Sequence, residues 1–208
     1  MPQEEQVLVI ERKVLEQVGM FQGLTFDVDN YLGEFFVQGV PRFMPRSQVE
    51  ENPAYKQLIP YVLMSYQGKY LSYVRGRRAG EARLVGNRSI GIGGHINPAD
   101  DMPLFNTDFY ETYLAAVERE VGEEVAVETS HTDRVVALLN DESNEVGSVH
   151  LGIVHHWILN APKVRRREQM ITQMAFMTFA ELHEVRDTLE TWSGLCLNSL
   201  AEMTRTLS

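Results

Sequence analysis

A single cysteine, Cys196, gives the chain no partner for an internal disulfide and no thiolate set for a structural zinc site. It lies in the apolar stretch LCLNSL, which assigns it to helix packing. No apolar run approaches the roughly twenty residues that span a bilayer, and the N-terminal MPQEEQ is acidic, unlike the basic start of a secretory signal. A cytoplasmic protein without a membrane anchor is expected. Positive charge is also short: 19 Lys and Arg against 29 Asp and Glu leave a formal net charge of −10. That balance argues against binding a nucleic-acid polymer, which needs a broad basic surface. It also means that an anionic phosphate substrate would require metal ions or a local basic patch. Repeats and low-complexity tracts are absent.

What is present suits a globular chain of 208 residues, 44% hydrophobic and 23% charged, read as one domain over 1–208. Residues 1–57 read as an N-terminal elaboration packed on the core or on a partner subunit, the latter making a homodimer. Its aromatic residues Phe21, Phe26, Tyr31, Phe35, Phe36 and Phe43 are too many for a free linker, so it should be ordered. VLVIERKVL alternates as a strand does. QLIPYVLMSY and KYLSYVRG flank Gln67-Gly68 as a hairpin, and a short strand runs from Ser89 to Gly93. A helix should start at Asn106 to Asp108, with Asp108 and Glu111 as a capping box and an apolar face of Tyr110, Tyr113, Leu114, Val117 and Val121. DRVVALLN and SVHLGIVHHWILN read as strands joined by the turn DESNEVG. A further strand near Met174 to Met177 leads into one helix over TFAELHEVRDTLETWSGLCLNSLAEM. Strands enclosed by an early and a late helix predict an α/β fold of the α/β/α sandwich type, with a mixed sheet between helices.

The chemistry is concentrated in ETYLAAVEREVGEEVAV, from Glu111 to Val127. On a helix turning about 100° per residue, Glu120, Glu123 and Glu124 share one stripe. Like charges at that spacing repel by a few tenths of a kcal/mol per pair, about as much as an opposite pair attracts, and the negative end of the helix dipole adds to the strain. A divalent cation would reverse the penalty. Taken alone, such a cluster is as well explained by a solvated helix face in which Arg119 pairs with Glu123.

The stretch resembles the catalytic box of the Nudix hydrolases, G-x5-E-x7-R-E-U-x-E-E-x-G-U, through Glu111, Arg119, Glu120, Val121, Glu123, Glu124 and Val127. Phe105 and Ala126 stand where the box has glycine. The Gly93-Gly94 pair in SIGIGGHIN matches the strand end that precedes the box in the family, with an insertion of about eleven residues, from Pro98 into the Asn106 region, before Glu111. The wider stretch from FMPRSQVEENPAYKQLIPYVLM to SIGIGGHIN is similar to a MutT-like subgroup of predicted phosphoesterases.

The resemblance implies a hydrolase of phosphoric anhydride bonds that uses Mg²⁺ or Mn²⁺, hard cations suited to carboxylate oxygen. It implies Glu120 and Glu124 as principal ligands, Glu123 as a further one, and a backbone carbonyl of Gly93 or Gly94 completing the shell. Glu120 or Glu123 would take a proton from the attacking water, while Glu111 and Arg119 brace loop and helix. The substrate would be a small diphosphate, a nucleoside diphosphate linked to a group X. Arg75, Arg77 and Arg83 are candidates for its phosphates, and His95 for a phosphate or a base. The run Lys163 to Arg167 reads as a solvated loop, with Glu168 beyond it as a further acid. Gly122 would serve close packing or metal approach. His150, His155 and His156, on a strand without a carboxylate nearby in sequence, are not expected to hold metal. A nucleotide-binding module of the same fold without turnover is the rival reading, and a cation site that only stabilises the helix end is a weaker one.

Overall fold

In the computed structural model, residues 4–76, 86–100, 108–167 and 171–205 are described. Along the chain run β1 (Gln6–Glu11), α1 (Arg12–Val18), β2 (Gly23–Thr25), α2 (Val28–Phe35), β3 (Arg42–Pro45), α3 (Arg46–Val49), β4 (Tyr55–Tyr66), β5 (Lys69–Arg75), β6 (Arg88–Ser89) and β7 (Gly91–Gly93). Then come a 3-10 turn at Pro98–Asp100, α4 (Phe109–Glu124), β8 (Val125–Val127), β9 (His131–Asn140), α5 (Glu145–Val149), β10 (His150–Leu159), β11 (Val164–Arg166) and β12 (Ile171–Thr178). After α6 (Phe179–Glu184), a 3-10 turn at Arg186–Thr188 leads to α7 (Thr191–Arg205). Ten strands join a large sheet of order β12-β5-β4-β10-β9-β2, with β1, β3, β6 and β7 off this path; β8 and β11 pair separately. The fold is the expected mixture of a large sheet and flanking helices.

The chain divides into two compact units. The first comprises Met1–Pro60, Gly94–Arg119 and Ala137–Val154. Here β1 pairs antiparallel with β3 and with the start of β4, and Val7, Leu8, Val9 and Ile10 are all fully buried. Burial on both faces contributes about 1.5–3 kcal/mol per large side chain. The aromatics of the N-terminal elaboration are ordered against partners. Phe21, Tyr31 and Phe35 form an edge-on series, Phe36 packs on Tyr110 and Tyr113, and Phe43 on Phe109. Lys56 is fully buried, its ammonium donating to Asn140 Oδ1 at 2.8 Å, Glu142 Oε1 at 2.6 Å and the Gly147 carbonyl at 3.1 Å. Burial lowers its pKa, and Glu142 opposes that shift.

The second unit comprises Tyr61–Gly93, Glu120–Val136 and His155–Ser208. The hairpin of β4 and β5 turns through Gln67 (φ 48) and Gly68 (φ 74), the two positive-φ positions of a type I′ turn. β12 continues the sheet beside β5. Gly91 on β7 lies under the Tyr61 ring, where a Cβ would sit 2.2 Å from the ring carbon Cζ, so only glycine permits this approach. Cys196, Leu197, Leu200 and Met203 on α7 are buried.

Several elements differ from the sequence expectation. The strand in VLVIERKVL ends at Glu11, and RKVLEQV is helical, with good helix formers around the buried Leu15. Tyr110 is 39% exposed, and the buried positions of α4 are Thr112, Tyr113, Ala116, Val117 and Val121. The strand expected over Ser89 to Gly93 is interrupted at Ile90, and the turn DESNEVG leads into α5. The single late helix is two helices. The Glu190 amide donates to the Arg88 carbonyl at 3.0 Å, and its carboxylate accepts from the hydroxyls of Tyr61, Ser89 and Ser193, which draws the chain to the sheet edge between α6 and α7.

Candidate active site

α4 opens at Asp108, whose Oδ1 accepts from the backbone amides of Tyr110 at 2.9 Å and Glu111 at 3.3 Å. Glu111 itself is exposed in the first turn, where a carboxylate complements the helix dipole.

With Val121 buried, the helical register sets Glu120 and Glu124 at the margin of the buried face and Glu123 in solvent. The helix passes directly into β8, which pairs with β11 (Val127 opposite Val164). The run Lys163 to Arg167 therefore contains a paired strand, where a loop was expected. Arg167 donates from its backbone amide to the Glu124 carbonyl at 2.9 Å and from Nη1 to the Gly122 carbonyl at 2.7 Å. A cation thus sits on the terminal carbonyls of α4, where the dipole favours it. A Cβ on Gly122 would meet nothing nearer than Arg167 Nη1 at 4.0 Å, so close packing does not require glycine there.

Facing this turn, Arg75 at the end of β5 brings Nη1 to 4.0 Å from Glu124 Oε1 and Nε to 3.8 Å from Glu190 Oε2, with its guanidinium over the Tyr73 ring. Burial opposes its charge, but Tyr73 and the carboxylates of Glu190 and Glu124 hold it protonated. Its buried Nε makes no hydrogen bond to the described residues. Carboxylate oxygens are hard, anionic donors of the kind that suits Mg²⁺ or Mn²⁺; among the described residues, however, Glu120, Glu123 and Glu124 do not form a group with ligand atoms within 4.8 Å of one another, and of the three it is Glu124 that Arg75 stands beside. Arg77, Arg83, Phe105 and Glu168, and most of the insertion before Glu111, lie outside the described residues.

In the first unit, Arg119 grips the buried Asp100 with two hydrogen bonds, Nε to Oδ1 at 2.6 Å and Nη2 to Oδ2 at 3.0 Å. Nη2 also donates to the His95 carbonyl at 2.8 Å. Such a bidentate guanidinium fixes the segment that follows Gly94. Sequence reasoning gave Arg119 a bracing part without identifying Asp100, whose side chain is 2% exposed. It also missed Glu190, and it did not foresee His95 beside His150 and Glu50. Burial, the Arg46 guanidinium and His150 push the His95 imidazole down to about 4. His155 has a carboxylate partner after all, Asp133 Oδ1 at 2.8 Å from Nδ1, while His156 meets Ser65 Oγ at 2.7 Å.

No protein-family model matches the chain. It is 30% identical over 206 residues to Protein YmaB of Bacillus subtilis (strain 168), across 95% of this chain and 98% of that protein. Its structure is similar to the crystal structure of Tm1382, "a putative Nudix hydrolase", with TM-score 0.77 and 26% identity over 96% of this chain and 99% of that one. The NUDIX domain of Shewanella oneidensis NrtR, solved with ADP ribose, shares the fold at TM-score 0.52 and 13% identity, over 73% of this chain and 88% of that one.

Proposed function

The chain belongs to the Nudix hydrolase family, hydrolases of phosphoric anhydride bonds, and from that premise we propose that it cleaves the diphosphate linkage of a nucleoside diphosphate joined to a group X, using Mg²⁺ or Mn²⁺. The observation that carries this reading is the last turn of α4, which bears Glu120, Glu123 and Glu124 and brings Glu124 to 4.0 Å from the half-buried Arg75. Glu120 and Glu124 would hold the cation, with Glu123 and a carbonyl of Gly93 or Gly94 as further ligands. A cation held there would supply charge neutralisation for the phosphoryl oxygens and a lowered pKa for a bound water. Glu120 or Glu123 would take the proton of the attacking water. Arg75 stands 4.0 Å from Glu124, and its guanidinium offers fixed donors to phosphate oxygen. Arg119, through Asp100 and the His95 carbonyl, holds the segment after Gly94 in place.

The test is phosphate release from a panel of diphosphate compounds with Mg²⁺, with Mn²⁺ and with chelator, with Glu124→Gln in parallel. Metal-dependent turnover lost in the variant supports the hydrolase and identifies the substrate. Absence of turnover together with a nucleotide-induced rise in Tm would replace it with a binding module.

A further inference from the structure

Glu50, His95 and His150 come from three separate segments: the end of α3, the residues after Gly94, and the start of β10. One ligand atom of each lies within 4.8 Å of the other two. The His150 Nδ1 stands 2.7 Å from the Val146 carbonyl, which can only accept, so Nδ1 carries the proton and Nε2 presents a lone pair. His95 Nδ1 faces the Glu5 carboxylate at 3.5 Å. The two Nε2 atoms approach to 3.4 Å, the length of a weak N–H···N hydrogen bond in which the His150 lone pair accepts from His95. Nitrogens bound at about 2.0–2.1 Å to one tetrahedral ion are about 3.3–3.4 Å apart. A cation between them would displace that proton and bind both nitrogens at the same spacing.

The surroundings are built for a ligand. Arg46 donates to Glu50 at 2.9 and 3.3 Å and orients its carboxylate. Gln57 is fully buried against Glu50, yet neither its Oε1 nor its Nε2 makes a hydrogen bond of proper geometry to a described residue. Ligands fixed by outer carbonyl and carboxylate partners are the usual arrangement of an imidazole metal site.

We propose that Glu50, His95 and His150 form a site for a borderline transition-metal ion, Zn²⁺ in particular, separate in its residues and its chemistry from the carboxylates of α4. Two imidazoles and one carboxylate suit Zn²⁺ better than Mg²⁺, which prefers an all-oxygen shell. The ion ties α3, β10 and the segment after Gly94 together, and the His95 carbonyl in that segment is the one Arg119 grips.

The experiment is calorimetric titration of the chelator-treated full chain with Zn²⁺, with Co²⁺ absorption as a second readout. Expected is one Zn²⁺ per chain at micromolar affinity or tighter, a rise in Tm, and visible Co²⁺ bands of tetrahedral intensity. The Glu120→Gln/Glu124→Gln double variant should keep this binding. His150→Asn should weaken it at least 100-fold, and Glu50→Gln, a half-exposed position that tolerates the change if His150→Asn does not fold, at least tenfold. Absence of Zn²⁺ binding in the parent chain, unchanged binding in Glu50→Gln, or loss of binding only in the α4 variant overturns the proposal.

Discussion

The α4 carboxylates and the His95, His150 and Glu50 group differ in donor chemistry and in how the chain assembles them. The first group is all oxygen, drawn from five consecutive residues and spread by the helix over one turn. The second is mainly nitrogen, drawn from three segments remote in sequence that β-sheet pairing and a loop bring together. The difference shows how a single chain can separate two classes of cation by hardness, with neither set borrowing residues from the other. It also shows two ways of holding such groups: the helix sets Glu124 beside Arg75, whereas the imidazoles meet Nε2 to Nε2 at 3.4 Å, with the His150 Nδ1 fixed by the Val146 carbonyl.

The largest effect expected from breaking this comparison is Glu124→Gln. Removing one carboxylate should lower Mg²⁺-dependent turnover at least 100-fold while the chain still unfolds cooperatively and still binds Zn²⁺. Turnover and Zn²⁺ titration on the same preparation check both halves, and near-normal turnover would remove Glu124 from the site.

Arg119→Ala comes next. Arg119 adjoins Glu120 in sequence, but its side chain serves the segment that carries His95. The variant leaves the Asp100 carboxylate buried and unpaired, which costs about 3 kcal/mol, the low end for such pairs because the guanidinium is 26% exposed. Urea unfolding should show this loss. Arg119→Lys should restore less than half, because an ammonium lacks the two-pronged geometry. Equal stability of Arg119→Ala and the parent would show that Asp100 is satisfied elsewhere.

Whether a feature could be read from sequence depended on how local its cause is. The hairpin at Gln67-Gly68 and the α4 register follow from turn chemistry and helical spacing within a few residues. The placement of Glu120, Glu123 and Glu124 in the last turns of that helix was legible for the same reason. α1 was missed because an alternating apolar run ahead of it masked the helix formers of RKVLEQV. The break between α6 and α7 depends on Glu190 meeting Tyr61 and Ser89, contacts 129 and 101 residues away. Asp100 had no signal either, since its partner lies 19 residues on, across the insertion. Glu50 beside His95 and His150 is the extreme case: no spacing rule links them, and the histidines on β10 looked unpartnered until the fold supplied the carboxylate.

A smaller effect separates burial from metal binding. His156 is a buried imidazole with Ser65 and Tyr70 as neighbours, outside the Glu50 group. Burial lowers its pKa from 6.5 to about 4, with Asp133 opposing. The unfolded chain therefore takes up a proton below pH 6.5 that the folded chain refuses until about pH 4, and stability falls as pH drops through that window. Linkage puts the loss at about 2 kcal/mol at pH 5. His156→Gln should flatten the stability difference between pH 7 and pH 5 by that amount without altering Zn²⁺ binding. An unchanged pH slope would mean that His156 is solvated in the folded chain.

The smallest effect is expected at Cys196, which bears on both groups by being available to neither. Its thiol is fully buried on α7, and burial, with Glu190 nearby, pushes its pKa up, so at neutral pH it is neither a nucleophile nor a metal ligand. Cys196→Ser should cost about 1 kcal/mol of stability, because a hydroxyl replaces a weakly polar sulfur in a buried position. Turnover should stay within twofold, and Zn²⁺ should still bind one per chain. A large loss of rate in the folded variant would mean that the thiol reaches the site. A loss of Zn²⁺ would mean that the soft ligand of this chain is sulfur, which would undo the contrast between an all-oxygen and an imidazole site.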